Sequence, residues 1–116
     1  MVAPSAGEVV LVPFPFSDLS QSKLRPAVCL ADVGRGDSVL CQVTSSPYGD
    51  PTAVPLGASD FATGGLLVAS FARPGELFTA SLGLMVKSVG VLSPGATAGL
   101  LSAVSALFRP PGNPDA

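Results

Sequence analysis

Residues 7–16 read GEVVLVPFPF, and residues 24–30 read LRPAVCL. The apolar run at the start of the first stretch predicts a buried strand. Pro13 and Pro15 are expected to end that strand, because proline donates no backbone hydrogen bond. A polar loop then leads to Arg25, which stands at the entrance of a second predicted strand. The chain has only six basic residues and no histidine, so an arginine fixed at this position is a candidate for chemistry.

The composition limits the kind of protein this can be. The 116 residues indicate one domain, and with 47% apolar and 12% charged residues the chain is not of the charge-rich disordered kind. Its net charge of −2 lacks the basic field of proteins that grip long nucleic acids, so any such contact must be local. The mean hydropathy of +0.55 suggests that a partner covers apolar surface, and a homodimer is the simplest arrangement.

The chain shows no pattern of a targeting or membrane segment. The first basic residue is Lys23, so the N-terminus lacks the basic region of a signal peptide. Residues 88–108 are uncharged and long enough to raise the question of a membrane span. Pro94 and Gly95 interrupt that run and favour a strand followed by an amphipathic helix. With two cysteines at apolar positions, we expect a protein of the reducing cytoplasm with no membrane contact.

A predicted hairpin brings two candidate residues together. Residues 26–31 and 38–45 are expected to form strands around a loop at residues 33–36 that contains two glycines. If the residues flanking this loop face each other, paired positions sum to 69. Arg25 then lies opposite Thr44, where side chains share a face with Cβ atoms about 4.5–5.5 Å apart.

The same register separates the two cysteines. It places Cys29 opposite Leu40 and Cys41 opposite Val28. The two thiols are therefore expected on opposite faces of the sheet, where they cannot form a disulfide.

The rest of the chain predicts further short strands and one helix. Arg73-Pro74-Gly75 is expected to end a strand, and residues 60–65 to form a loop with one helical turn. Ser93 followed by Pro94 predicts a helix start, and apolar spacing continues that helix to residue 108. We expect a mainly β fold, a small antiparallel barrel with a C-terminal helix, in one domain over residues 1–108 with a disordered tail at 109–116. The further strands are predicted at 52–56, 66–72, 77–79 and 85–92.

Arg25 is the strongest candidate for chemistry. The chain carries no phosphate-binding loop and no catalytic triad, and without histidine a zinc site is not expected. Pro26 holds the preceding arginine in an extended conformation, and a guanidinium offers a planar fork of donors to phosphate. The alternative is a surface arginine paired with Asp18 or Asp37, and both interpretations stay open at this level.

Hydroxyl groups and an ion pair are weaker candidates. Thr44 and Ser45 follow a strand and can bind a phosphoryl oxygen or a ribose hydroxyl. Taken alone, they are more typical of residues that cap a turn. Arg73 and Glu76 can supply a cation and a general base, but equally form a surface ion pair of little energetic consequence.

Aromatic side chains are the third group of candidates. Phe14, Phe16 and Tyr48 can stack on RNA bases. In a protein of this size such residues more often pack in a core or an interface.

Several short stretches, in order along nearly the whole chain, together resemble the MazF/PemK family of toxins from bacterial toxin–antitoxin pairs. The resemblance implies an SH3-like antiparallel β-barrel of the CcdB/Kid/MazF type that forms a homodimer. The stretches that carry it are 7–12, 25–28, 42–45, 73–79 and 89–93.

The resemblance also implies a function, metal-independent cleavage of single-stranded RNA without a cofactor. Arg25 matches an arginine that stabilises charge on phosphorus, Thr44 and Ser45 match hydroxyl residues of the site, and Arg73 with Glu76 resembles an acid–base pair. Phe16, Asp18 and Tyr48 are further candidates for substrate binding or acid–base work. The expected partners are single-stranded RNA and a cognate antitoxin, through which alone DNA would be contacted. No metal ligands are expected.

A second class of function remains open. The same barrel can serve as a non-catalytic toxin or binding module that acts on a protein target such as DNA gyrase. Such a poison would rely on residues of its C-terminal helix, and the sequence after the helix, Arg109-Pro110-Pro111, offers no aromatic anchor.

Overall fold

The computed structural model describes residues 2–15 and 22–110, which form strands, two short 3₁₀ turns and one helix. The 3₁₀ turns are Ala58–Asp60 and Leu82–Leu84, and helix α1 is Pro94–Ala106. The strands are β1 (Glu8–Pro15), β2 (Ser22–Gly34), β3 (Asp37–Thr44), β4 (Val54–Leu56), β5 (Phe61–Gly64), β6 (Ser70–Ser81) and β7 (Lys87–Leu92).

The described strands make one antiparallel sheet in the order β4-β6-β3-β2-β1-β7-β5. The strands at its two edges, β4 and β5, are consecutive in the chain and separated only by residues 57–60. The sheet therefore curls until its edges are neighbours, and the result is a nearly closed barrel. The predicted mainly β barrel with a C-terminal helix is confirmed.

Strand β1 continues through both prolines, so the prediction that they end it was wrong. The carbonyl of Leu11 accepts a hydrogen bond from the Val86 N–H on the β7 side. Backbone N–H and C=O groups of every second residue in a strand point to the same side, so the nitrogens of Pro13 and Pro15 also face the β7 side. The last β1–β7 pair is at Leu11, so β7 has no residue there that needs a hydrogen bond from them. Their missing N–H groups cost nothing there, and pairing with β2 continues to Ser22.

The β2–β3 hairpin has the predicted register near Ala27 and Gln42, but its loop is shorter than predicted and β2 contains two bulges. Ala27 pairs with Gln42, a sum of 69, whereas Gly34 pairs with Asp37 across a two-residue loop. Bulges in β2 at residues 30 and 33 absorb the two extra positions. The loop residues, Arg35 and Gly36, have φ values of 59° and 77°, as a tight hairpin turn requires.

Strand β6 runs through the segment expected to end it. Ala72 pairs with Val43, but the next pair joins Leu77 to Cys41, so residues 73–76 bulge out of the ladder. The proline and glycine there interrupt the pairing without ending the strand. Strand β5 was predicted as loop, because Gly64 and the adjacent Gly65 obscure the strand pattern.

The sheet buries both of its faces over the central strands. One cluster contains Val9, Val28 and Cys41 and is covered by Leu100 of α1. The other contains Val12, Cys29 and Leu40 and is covered by Met85. Both thiols are free and buried and belong to different clusters, as the register predicted.

Helix α1 begins as predicted and ends two residues early. The Ser93 hydroxyl accepts a hydrogen bond from the Ala96 N–H at 3.1 Å, and Pro94 is the first helical residue. After Ala106 the chain continues as a turn, in which the Phe108 N–H donates to the Ser105 carbonyl. In the part of the chain described here, no helix is long and apolar enough to cross a membrane. The predicted disorder of the tail falls largely on residues outside the described range.

Candidate active site

Arg25 and Thr44 lie at the same end of neighbouring strands. Arg25 pairs with Val12 of β1, and two residues further along β2 Ala27 pairs with Gln42 of β3. The described β2–β3 pairing stops there, and its sum of 69 is the register from which Arg25 is predicted to lie opposite Thr44. Strand alternation puts both side chains on the face of the second cluster, to which Val12 and Ala27 belong. Arg25 and Thr44 are each partly buried at the rim of that cluster.

The Thr44 hydroxyl makes two hydrogen bonds to the backbone of Ser46, in the turn that follows β3. It donates to the Ser46 carbonyl at 3.0 Å and accepts from the Ser46 N–H at 3.1 Å. A hydroxyl has one hydrogen to donate, so Thr44 can donate to a phosphoryl oxygen only by releasing the Ser46 carbonyl. The neighbouring Ser45 is exposed at the surface beside it.

The β6 bulge carries the two charged candidates of that strand, Arg73 and Glu76. Strand alternation turns Phe71 and Arg73 to the face opposite the core residue Ala72, and Phe71 pairs with Thr44. The Arg73 Nη1 atom lies 3.8 Å from Glu76 Oε1, and the Glu76 side chain is 51% exposed. Arg73 is therefore close to the predicted carboxylate but beyond hydrogen-bond distance from it.

The closer partner of Arg73 is Asp50, which sequence reasoning missed. The Arg73 Nε–H donates to Asp50 Oδ2 at 3.0 Å. Hydrogen bonds from the Thr52 hydroxyl and N–H, together with Arg73, hold the pKa of Asp50 below its usual range. The aspartate before Pro51 reads in sequence only as a turn residue, since nothing local indicates a partner on β6.

A buried thiol fixes the backbone of the bulge. Cys41 Sγ–H donates to the Arg73 carbonyl at 3.2 Å. Burial raises the pKa of Cys41 to about 12, so the thiol keeps its hydrogen near neutral pH. Burial also raises the pKa of Cys29, which lies on the other face. Next to Cys41, Gln42 Oε1 is buried and has no hydrogen-bond partner among the described residues.

The aromatic candidates separate into two groups. Tyr48 is 81% exposed, with a φ of 54°, and its ring is open to solvent in the turn after Thr44. Phe14 packs edge-to-face on Phe78, with ring centroids 5.3 Å apart, and both residues are partly buried. The candidates Phe16 and Asp18 lie outside the described residues.

Acidic and thiol groups are dispersed over the described part of the chain. No three of its Cys, Asp or Glu side chains come close enough together to hold a metal ion.

Comparison with known proteins identifies the fold. No protein-family model matches the chain, and no curated protein matches it by sequence. A MazE–MazF structure from Deinococcus radiodurans superposes with a TM-score of 0.73 at 20% identity, over 92% of this chain and 96% of that one. An endoribonuclease bound to its cognate antitoxin from a mycobacterial species gives 0.68 at 21%, over 95% and 98%. The Mycobacterium tuberculosis toxin MazF-mt6 gives 0.63 at 17%, over 85% and 95%.

Proposed function

From the barrel that this chain has in common with MazF structures, we propose that it is the toxin of a toxin–antitoxin pair and cleaves single-stranded RNA in the cytoplasm. The observation that supports this proposal is the β2–β3 register, in which Ala27 pairs with Gln42 and from which Arg25 is inferred to lie opposite Thr44 on the same face of the sheet. A guanidinium beside hydroxyl groups at a strand end is suited to a phosphodiester, because it offers fixed donors to charged oxygens.

The proposed reaction is a transesterification. The ribose 2′-hydroxyl attacks the adjacent phosphorus and gives its proton to a base, for which Glu76 is the candidate. The bond from phosphorus to the 5′-oxygen breaks, and that oxygen takes up a proton to become a 5′-hydroxyl. The other product is a 2′,3′-cyclic phosphate, so neither a water molecule nor a cofactor enters the equation.

Each candidate residue has a proposed part in that reaction. Arg25 stabilises charge on the phosphorane, because a guanidinium is a permanent cation and does not readily give up a proton. Thr44 and Ser45 bind the phosphoryl oxygens, and Tyr48 offers its exposed ring to a base. Arg73 binds the phosphate, and Glu76 is the candidate base. Phe16 and Asp18 remain candidate substrate contacts.

The proposed partners are a second copy of the chain and an antitoxin. Apolar surface supports this, because an apolar groove of about 240 Å³ opens beside Phe14, Phe78 and Leu84. Val86, two residues after Leu84, is 54% exposed. Surface of this kind in a small protein marks a contact with a partner.

The deciding experiment is incubation of the purified protein with mixed single-stranded RNA in EDTA. We expect discrete cuts that carry cyclic phosphate ends. Arg25→Ala should slow cleavage by about 10²–10³-fold, the usual effect of removing one donor to developing charge. Arg109→Ala, an exposed arginine at the far end of the helix, is the control and should cleave normally. Intact RNA at high protein concentration would contradict the proposal.

The alternative function, inhibition of a protein target such as DNA gyrase, has one supporting observation. Phe108, in the turn after α1, is 73% exposed and offers the aromatic anchor not expected from the residues that follow it. Growth arrest that survives Arg25→Ala but is lost in Phe108→Ala would favour this alternative.

A further inference from the structure

Arg73 lies between two carboxylates that hold it unequally. Asp50 Oδ2 is 3.0 Å from Nε, and the Asp50 side chain is only 14% exposed. Glu76 Oε1 is 3.8 Å from Nη1, and its side chain is 51% exposed. A guanidinium has five N–H donors on a rigid plane. The contact with Asp50 therefore orients that plane through Nε and does not use the donors on Nη1 and Nη2.

The two carboxylate oxygens of Asp50 accept hydrogen bonds from different residues, which hold its side chain in place. Oδ1 accepts from the Thr52 N–H at 2.9 Å and from the Thr52 hydroxyl at 2.6 Å. Oδ2 accepts from Arg73. The contact thus joins the turn after β3 to the β6 bulge, although 23 positions separate the two residues along the chain.

The alternative pairing would remove the candidate base. An arginine and a glutamate on the same bulge can form a bidentate pair, in which both carboxylate oxygens accept N–H bonds. A glutamate held in that way has no oxygen free to accept the proton of a 2′-hydroxyl. In this structure Asp50 occupies Nε, and the pair between Arg73 Nη1 and Glu76 Oε1 stays open at 3.8 Å.

We infer that Asp50 is a positioning residue of the proposed cleavage site. It orients Arg73 so that the Nη donors face the RNA phosphate, and it leaves the Glu76 carboxylate free to accept a proton. This inference rests on the proposed function, and it assigns Asp50 no contact with the RNA.

The test compares two asparagine variants that make the same chemical change. Asp50→Asn keeps an oxygen for Thr52 but loses the charge that holds Arg73. Asp32→Asn is the matched control, because Asp32 Oδ1 accepts from the N–H two residues ahead, at Gly34, in the same way. On a short RNA in EDTA, we expect Asp50→Asn to lower kcat about tenfold or more with a smaller change in KM. Asp32→Asn should leave both constants within about twofold.

A double variant separates positioning from a general loss of structure. Added to Arg73→Ala, Asp50→Asn should lower kcat by less than about twofold, because its effect passes through Arg73. Thr52→Val is a milder variant that loosens Asp50 while keeping its charge, and it should lower kcat in the same direction. Normal kcat in Asp50→Asn, or an undiminished loss in the Arg73→Ala background, would overturn the inference.

A signal from Arg73 itself tests the inference apart from catalysis. In the wild-type protein its Nε–H resonance should exchange slowly with solvent, and in Asp50→Asn it should exchange faster. Equal exchange in both proteins would overturn the positioning role. If the Arg73 Nε–H exchanges slowly in a wild-type protein that cuts no RNA, the proposed function is overturned. The contact between Asp50 and Arg73 would then be a structural one.

Discussion

The buried thiol of Cys41 connects a single residue to the shape of the site. Its hydrogen is donated to the Arg73 carbonyl within the β6 bulge, in a setting from which water is excluded. Ionisation would both place a charge in the core and remove the only hydrogen that the thiol can donate. The conformation of the bulge therefore depends on keeping this group neutral.

A fall in stability at high pH is the expected result. The ordinary pKa of the thiol is 9.0, and burial raises that of Cys41 to about 12 in the folded protein. The unfolded chain thus loses the proton first as pH rises. The contribution is complete below pH 9 and is lost progressively between pH 9 and 12. Urea unfolding at about pH 8 and about pH 10.5 measures the free energy of unfolding across this range.

The control for this prediction is Cys41→Ser, which keeps a donor to the Arg73 carbonyl but does not ionise in that range. Its free energy of unfolding should decline less than that of the wild-type protein. An identical decline in both proteins would assign the pH dependence to other groups.

At the scale of one residue, sequence pattern located some site residues and could not locate others. Arg25 was detectable because basic residues are rare in this chain and Pro26 fixes the conformation before it. Asp50 was not, since its contact with Arg73 depends on a bulge in β6 that lies 23 positions away and that no local sequence pattern predicts. The hydroxyl of Thr44 fits its turn-capping interpretation, and its part in catalysis stays a prediction.

Among the elements, the attachment of the edge strand β5 to β7 depends on two glycines that face each other. Gly64 of β5 pairs with Gly90 of β7, and their backbones approach closely. A Cβ atom added to Gly90 would lie 2.7 Å from the Thr63 carbonyl oxygen and 2.9 Å from the Gly65 nitrogen. Both neighbours are backbone atoms, so the strands would have to separate to make room.

Gly90→Ala is therefore expected to lower the free energy of unfolding by about 1–3 kcal/mol, the usual cost of overpacking. Gly99→Ala is the matched control, because a Cβ there meets nothing within 4 Å. In the helix it should raise stability by up to about 1 kcal/mol. Urea unfolding measures both changes. A Gly90→Ala protein within about 0.5 kcal/mol of the wild type would contradict the close approach.

The sequence predicted these elements unevenly, for reasons that lie in tertiary structure. The helix start and the inner strands follow from capping residues and apolar runs, whose causes are local. Strand β1 continues through Pro13 and Pro15 because β7 begins at Lys87, opposite Leu11, and so leaves those prolines without a partner strand on that side. That arrangement depends on tertiary structure and not on local sequence. The hairpin register was correct near the site only because two bulges offset the different loop.

For the whole molecule, charge sets how the proposed RNA contact responds to salt. The net charge is −2, and the candidate site contributes two guanidinium groups, Arg25 and Arg73. Each phosphate neutralised on a single strand adds about −0.7 to the slope of log K against log salt concentration. A site with two such contacts should show a slope of about −1.4.

Binding of a short, uncleavable 2′-deoxy analogue at several salt concentrations measures this slope. Arg25→Ala should reduce its magnitude by about 0.7, whereas Arg109→Ala should leave it unchanged. A slope steeper than about −3 would mean that RNA binds along an extended basic surface, for which this chain has too few cations.

The pairing of β1 with β7 also affects how the chain reaches its folded state. Glu8 pairs with Val91, so the first strand completes its hydrogen bonds only with the last one. The strands that hold Arg25, Thr44 and Arg73 are all synthesised before β7 leaves the ribosome. Contacts between such distant parts of a chain make folding slow, because a long loop must close before any of them forms. A barrel of this topology is therefore completed only after nearly all of its chain has been made.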